Sequence, residues 1–264
     1  MATPSLDEVL DILHEIAPLE LAADWDNVGL LLRPDLRAGK VARVVLCIDL
    51  TEAVVAEARA AKADLVVAYH PPIFKPLARL DVEDATQRRV LAAVAAGFAV
   101  YSPHTALDAA AGGLADWLLE GALGDAVPDE VRPLGDGEFG RLASLSKPLA
   151  WTGLLTRLKK LFGVRHLQVA RPAKAPTQLR SLAIAAGSGG SVLRSSRADV
   201  LITGEMSHHE VLAAVAEGSS VVLAGHGNTE RGFLKGLRRR LVGEFGKALD
   251  VRLSREDRDP LAVV

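Results

Sequence analysis

One cysteine, Cys47, stands in 264 residues, and it lies inside an apolar run. No disulfide can close within the chain and no thiolate cage can hold zinc, so a reducing cytoplasm is the expected setting. An excess of charge of either sign is also missing: 31 Lys and Arg face 33 Asp and Glu, a formal net of −2. Proteins that grip a phosphate backbone carry a basic excess or a basic face, which disfavours nucleic acid as a partner. No window approaches eighteen consecutive apolar residues, and Met1 to Glu8 shows no basic stretch leading into an apolar one; neither a membrane span nor an export leader is expected. Solenoid repeats and low-complexity tracts are absent. With 49% hydrophobic residues, a chain of this length can bury roughly 70% of the surface its extended form exposes. One large domain or two small ones fit.

The pattern alternates strand and helix. Ser5-Leu6-Asp7-Glu8 reads as a capping box, followed by Leu6, Val9, Leu10, Leu13 and Ile16 at helical spacing up to Pro18. A polar loop holds Asp24 to Gly29. Val41 to Leu50 is short, apolar and β-branched, and a helix rich in Ala and Glu runs from Thr51 to about Lys62. Further strands are expected at Leu65 to Tyr69, Phe98 to Tyr101, Ser181 to Ala185, Val200 to Thr203 and Val221 to Ala224. This beat predicts an α/β fold with largely buried strands. Gly124 to Lys174, with scattered Gly and Pro, a helix near Leu154 to Phe162 and a strand Leu167 to Ala170, opens a second lobe. The expected division is 1–123 with 232–264 as one lobe and 124–231 as the other, boundaries approximate. A helix from Thr229 to Phe245 and a strand Leu249 to Leu253 close the chain, and Arg238-Arg239-Arg240 reads as a solvated helix face.

Histidines fall just past strand ends. His70 follows Leu65 to Tyr69, His104 follows Phe98 to Pro103, and His226 follows Val221 to Gly225; His208 and His209 lie in the loop after Val200 to Glu205. Ligands of open α/β sheets bind at that edge, where loops converge. His104 and His226 each have a carboxylate four residues on, Asp108 and Glu230, a spacing that brings ring and carboxylate together on a helix. Asn228 or Thr229 is a candidate cap for the helix carrying Glu230. Imidazoles and carboxylates without thiolates suit zinc, iron or manganese. The alternative, that each histidine is an ordinary hydrogen-bonded structural residue, stays open on spacing alone, and His14 and His166 carry no signal beyond it.

At these residues the chain resembles the NIF-three-like dinuclear metal-centre family, also labelled GTP cyclohydrolase type 2 homologues. The matching segments are Asp24-Trp25-Asp26-Asn27-Val28-Gly29-Leu30, Tyr69-His70-Pro71-Pro72-Ile73-Phe74, His104-Thr105-Ala106-Leu107-Asp108, Ile202 through His209, and Gly225 through Gly232. The resemblance implies two interwoven α/β lobes, a metal pair in the cleft between them, and a toroidal homohexamer. Carried over by motif, His70, Asp108 and Glu230 look like ligands of one metal, and His104, His226 and Glu230 of the other. Where many members have two consecutive histidines this chain has Tyr69-His70, so a ligand of the second metal is expected to be missing or replaced by the Tyr69 phenol, and that metal to bind more weakly. The length between Asp108 and Ser181 leaves no room for the middle domain inserted in longer members.

Glu205, His208 and His209 are candidates for substrate contact or proton transfer, with capping an equal alternative for the two histidines. Asp49 is a candidate support for a ligand, and Asp26 and Asn27 for their loop. Ala186-Gly187-Ser188-Gly189-Gly190 reads first as a tight turn needing positive φ and second as a phosphate cradle; it lacks the Gly-Lys-Ser/Thr of a P-loop. No Gly-x-Ser-x-Gly elbow exists for serine hydrolysis. Buried in a strand, Cys47 is a poor nucleophile. The expected activity is metal-dependent hydrolysis of a small phosphorylated or nucleotide-like substrate, with one or two divalent ions per chain. A metal-binding or metal-delivering ring, or a regulatory scaffold, is the alternative.

Overall fold

The computed structural model describes residues 2–35 and 39–262. In chain order the elements are α1 (Leu6–Ile16), β1 (Gly29–Leu32), β2 (Arg43–Cys47), α2 (Glu52–Ala60), β3 (Leu65–Ala68), α3 (Ala85–Ala96), β4 (Ala99–Ser102), α4 (His104–Ala109), α5 (Leu114–Leu123), β5 (Glu130–Leu134), β6 (Gly140–Ala150), α6 (Trp151–Phe162), β7 (Gln168–Ala170), β8 (Gln178–Ala185), α7 (Gly190–Leu193), β9 (Val200–Thr203), α8 (His208–Ala216), β10 (Ser220–Leu223), α9 (Asn228–Arg231), α10 (Leu234–Phe245) and β11 (Asp250–Leu253). They form two compact units, Met1–Leu107 with Phe233–Val264, and Asp108–Gly232. The approximate boundaries expected from the sequence are 123/124 and 231/232; α5 packs with α6 and β6 in the second unit.

The first unit carries a five-stranded sheet in the order β1-β4-β3-β2-β11. Four strands run parallel and β1 is antiparallel at the edge. β2, β3 and β4 are almost wholly buried and rich in Val, Leu and Ala, as parallel strands covered on both faces must be. One face packs Val45, Cys47, Val66, Ala68 and Val100 against Val54, Ala58 and Ala93 of α2 and α3. Each helix starts where its sequence can satisfy the exposed N–H groups. Ser5 and Glu8 make the reciprocal capping box of α1, the Thr51 hydroxyl accepts from Val54 N on α2, and the Asp84 carboxylate accepts from Thr86 N and Gln87 N on α3.

The second unit carries a six-stranded sheet in the order β5-β6-β8-β9-β10-β7. β8, β9 and β10 are parallel, flanked by antiparallel β6 and β7, with β5 pairing outside β6. The β6–β8 ladder slips between Ser144 and Leu149, where Pro148 has no N–H to donate.

One expectation is corrected, and strands join those expected. The helix expected from Thr229 to Phe245 is interrupted at Gly232 and Phe233, giving α9 and α10; Gly232 lies so close to the Trp117 ring that a Cβ would sit 2.6 Å from it. The loop read from Asp24 ends in a strand, since Gly29 to Leu32 form the edge strand β1. The irregular stretch after Gly124 contains the β5–β6 hairpin. Arg238, Arg239 and Arg240 are exposed on α10. No helix among the described residues is long and apolar enough to cross a membrane.

Candidate functional site

In the first unit the loops after β3 and β4 bring Tyr69, His70 and His104 together. Tyr69 N and His70 N donate to Cys47 O and Ile48 O at 2.9 and 3.0 Å, continuing the sheet past its last paired residue, while Ser102 Oγ donates to Tyr69 O at 2.7 Å. The His70 and His104 rings lie edge to face at 5.3 Å, and Tyr69 meets His104 edge to face at 5.4 Å. His104 opens α4 at φ +27, a backbone state that non-glycine residues rarely hold and that clusters at functional positions. Asp108 follows one turn later on the same helix and is buried.

Both imidazoles are held by carboxylates. His104 Nδ1 is 2.8 Å from Asp26 Oδ1, and His70 Nδ1 is 3.0 Å from Asp49 Oδ1. A carboxylate only accepts, so in each pair Nδ1 carries the proton. Burial pushes the Asp26 carboxyl up, but hydrogen bonds from His104 and Thr105 outweigh it and hold the group below the usual carboxylate range. Asp26 therefore does more than shape its own loop.

The second unit builds its cluster from glycines. Strands β8, β9 and β10 lead into Gly187, Gly204 and Gly225, and Glu205 N donates to Gly187 O while Gly225 N donates to Gly204 O, each at 2.9 Å. A Cβ on Gly204 would lie 2.6 Å from Gly187 O and 2.8 Å from His226 Cα. On Gly187, which sits at φ +53, it would lie 2.7 Å from Glu230 Oε1 and 2.9 Å from His226 Nε2. Only glycine lets the backbone pass this close to the two side chains. Gly187 N donates to Thr229 Oγ1 at 2.9 Å, whose hydroxyl donates to His226 O at 2.7 Å. His226 Nε2 then lies 3.3 Å from Glu230 Oε1, with Glu230 2% exposed.

His226 repeats the arrangement of the other two rings, its Nδ1 lying 2.9 Å from Glu205 Oε1. Glu205 thus holds an imidazole. Neither Asn228 nor Thr229 caps α9, contrary to expectation: the cap position is Gly227, the Asn228 amide donates to Ala224 O, and Thr229 is engaged as described. His208 and His209 occupy the first turn of α8, where Ser207 and Glu210 do the capping. Their exposed rings meet edge to face at 5.5 Å; His209 lines one cavity beside α8 and His208 another. The glycine turn takes the positive φ at Gly187.

Three histidines on three strand-end loops thus share one device, a carboxylate on Nδ1. This is how proteins orient metal-binding imidazoles, and the donor chemistry of imidazole and carboxylate fits a divalent transition metal. Sequence reasoning missed the coupling of Asp26 to His104. The signal was its place in the Asp-Trp-Asp-Asn loop, but no spacing rule connects positions 26 and 104.

The family described as Duf34/NIF3 (NGG1p interacting factor 3) matches residues 4–260. The protein NIF3 homolog of Schizosaccharomyces pombe is 41% identical, over 96% of each chain. NGG1-interacting factor 3 of Saccharomyces cerevisiae is 34% identical, over 98% of this chain and 96% of its own. Among solved structures, a Bacillus cereus protein related to NIF3 superposes with a TM-score of 0.84 at 19% identity, covering all of both chains. Reduced HcgD from Methanocaldococcus jannaschii gives 0.82 at 22%, covering 96% of this chain and 98% of its own. The chain belongs to the Duf34/NIF3 family.

Proposed function

We propose that this chain is a metal-dependent hydrolase in which His70, His226 and Glu230 are ligands of a divalent ion. The repeated carboxylate–imidazole pairing, Asp49 with His70, Asp26 with His104 and Glu205 with His226, carries this reading. His104, Asp108 and the Tyr69 phenol are the remaining ligands, with Asp108 joining the first ion and His104 and Tyr69 supporting weaker occupancy by a second. A bound ion would supply Lewis-acid polarisation of a phosphoryl or ring-carbon centre. The chain's own residues do the rest. Asp26, Asp49 and Glu205 fix the tautomer and aim of each ring, and the glycines at 187 and 204 set the position of Glu230 and His226. His208 and His209, exposed at the start of α8, exchange protons with substrate or solvent. The substrate is small and phosphorylated or nucleotide-like, and the working form is a homo-oligomeric ring in the cytoplasm.

Elemental analysis of protein purified without chelators or a metal-affinity tag tests the proposal. About one to two transition-metal ions per chain are expected, lost in His70→Ala and in Glu230→Ala. Metal near zero, not restored by zinc, iron or manganese, refutes it. The hydrolase reading fails separately if His226→Ala matches wild type on every phosphoester and on GTP.

A further inference from the structure

Trp25 is 62% exposed and Phe74 44%, yet both sit on loops that are firmly tied. Asp26 N donates to Ala23 O and Asn27 N to Asp26 Oδ1, at 2.9 and 2.8 Å. Ala23 N donates to Thr105 Oγ1 at 3.0 Å, and the Asp26 carboxylate takes His104 and Thr105. The Asn27 amide donates to Ile73 O, fastening the loop of Trp25 to that of Phe74. Two large apolar rings are therefore held in water by a rigid frame, an arrangement that forgoes burial and marks a surface built for a ligand.

We propose that Trp25 and Phe74 form an aromatic jaw that stacks a flat heteroaromatic ring of the substrate next to His104 and His70. This rests on the functional reading above and gives its substrate a chemical class. The two rings are 6.0 Å apart and tilted by 55°, too inclined to stack on each other, so a third ring lying on the indole meets the Phe74 edge. His104 lies at the back of the jaw, 6.3 Å from Trp25 and 6.4 Å from Phe74. Phe74 also borders a cleft of about 440 Å³ shared with His70, Asp49, Lys75 and Gln87. Those side chains offer both donors and acceptors, which suits a ring with hydrogen-bonding edges better than a hydrocarbon.

The test compares GMP with ribose 5-phosphate, probes that share sugar and phosphate and differ in the ring, on the full-length protein. Binding is followed by calorimetry and by quenching of indole emission; Trp25 is exposed, whereas Trp151 is buried under Arg171. GMP is expected to bind about tenfold or more tightly than ribose 5-phosphate, the size of one stacking contact. Trp25→Ala should abolish the difference and Trp25→Phe keep most of it, both with wild-type circular dichroism. Equal binding of the two probes, binding of neither, or a preference that survives in Trp25→Ala overturns the jaw. Metal is assayed on the same samples: ring preference without metal leaves the jaw standing and fails the metal reading, and metal without ring preference does the reverse.

Discussion

Replacing Gly187 by alanine perturbs the candidate centre without removing a single donor. The added methyl would sit 2.7 Å from Glu230 Oε1 and 2.9 Å from His226 Nε2, against an ordinary contact of about 3.4 Å or more. Something must move by roughly half an ångström, and because Gly187 is pinned through its N–H to Thr229 the shift falls on the two donor side chains. Metal–ligand distances tolerate about 0.2 Å, so a shift of that size should weaken zinc binding by about 10- to 100-fold, the range seen when ligand supports are lost. Alanine at φ +53 also costs about 1–2 kcal/mol of backbone strain, which must be separated from the local push. Gly97→Ala provides the comparison, since Gly97 has φ +78 and nothing within 4 Å of an added Cβ. Urea denaturation of metal-free protein should show both variants destabilised by about the same 1–2 kcal/mol. Calorimetric zinc titration should show weakened binding in Gly187→Ala alone. Wild-type affinity in Gly187→Ala would refute the claim that this glycine positions Glu230 and His226.

Two further predictions follow from buried or paired groups. Glu205→Gln keeps the shape of the His226 partner but removes its charge, and should lower metal affinity about 10-fold or more while leaving thermal stability of the metal-free chain unchanged; unaltered affinity would separate Glu205 from metal binding. Tyr101 is 2% exposed, its hydroxyl has no hydrogen-bond partner among the described residues, and burial, helped by the negative charge of Glu20, pushes its phenol to about 12. The unfolded chain then ionises this tyrosine first, so stability is lost between about pH 10 and 12, by up to roughly 2.7 kcal/mol. Tyr101→Phe should be about 1 kcal/mol more stable than wild type at pH 7 and lack that share of the alkaline loss in urea titrations; parallel curves from pH 9 to 12 would disprove it.

What the sequence disclosed was what depends on local order. The capping box at Ser5, the helix opening near Thr51 and the buried runs at Leu65 and Val200 are written in neighbouring residues, and all form. The strand-end histidines were legible because a strand boundary is local. Illegible were β5, nearly all exposed and containing Pro133, and β1, whose three leucines follow a polar motif. Each gains its strand character from a partner elsewhere, β6 and β4, and edge strands carry little burial pattern of their own. The same holds at the site. Asp26 and His104 are 78 residues apart and His226 and Glu205 are 21, so no periodicity could announce the pairs.

The first unit is assembled from two stretches of chain with the whole second unit between them. Its edge strand β11 pairs with β2, placing Asp250 beside Arg43, and Asp257 then accepts from Ile48 N at 2.8 Å, next to the residue that holds His70. During synthesis, which proceeds at about 5–20 residues per second, the second unit has every strand of its sheet as soon as Gly232 is made. The first must wait for the last fifth strand. For several seconds β2 therefore presents an open, apolar, parallel edge of Arg43 to Cys47, the kind of surface that mispairs with other chains. Newly made protein should be most prone to aggregate in that interval, and a ribosome stalled before Asp250 would expose it for as long as the stall lasts.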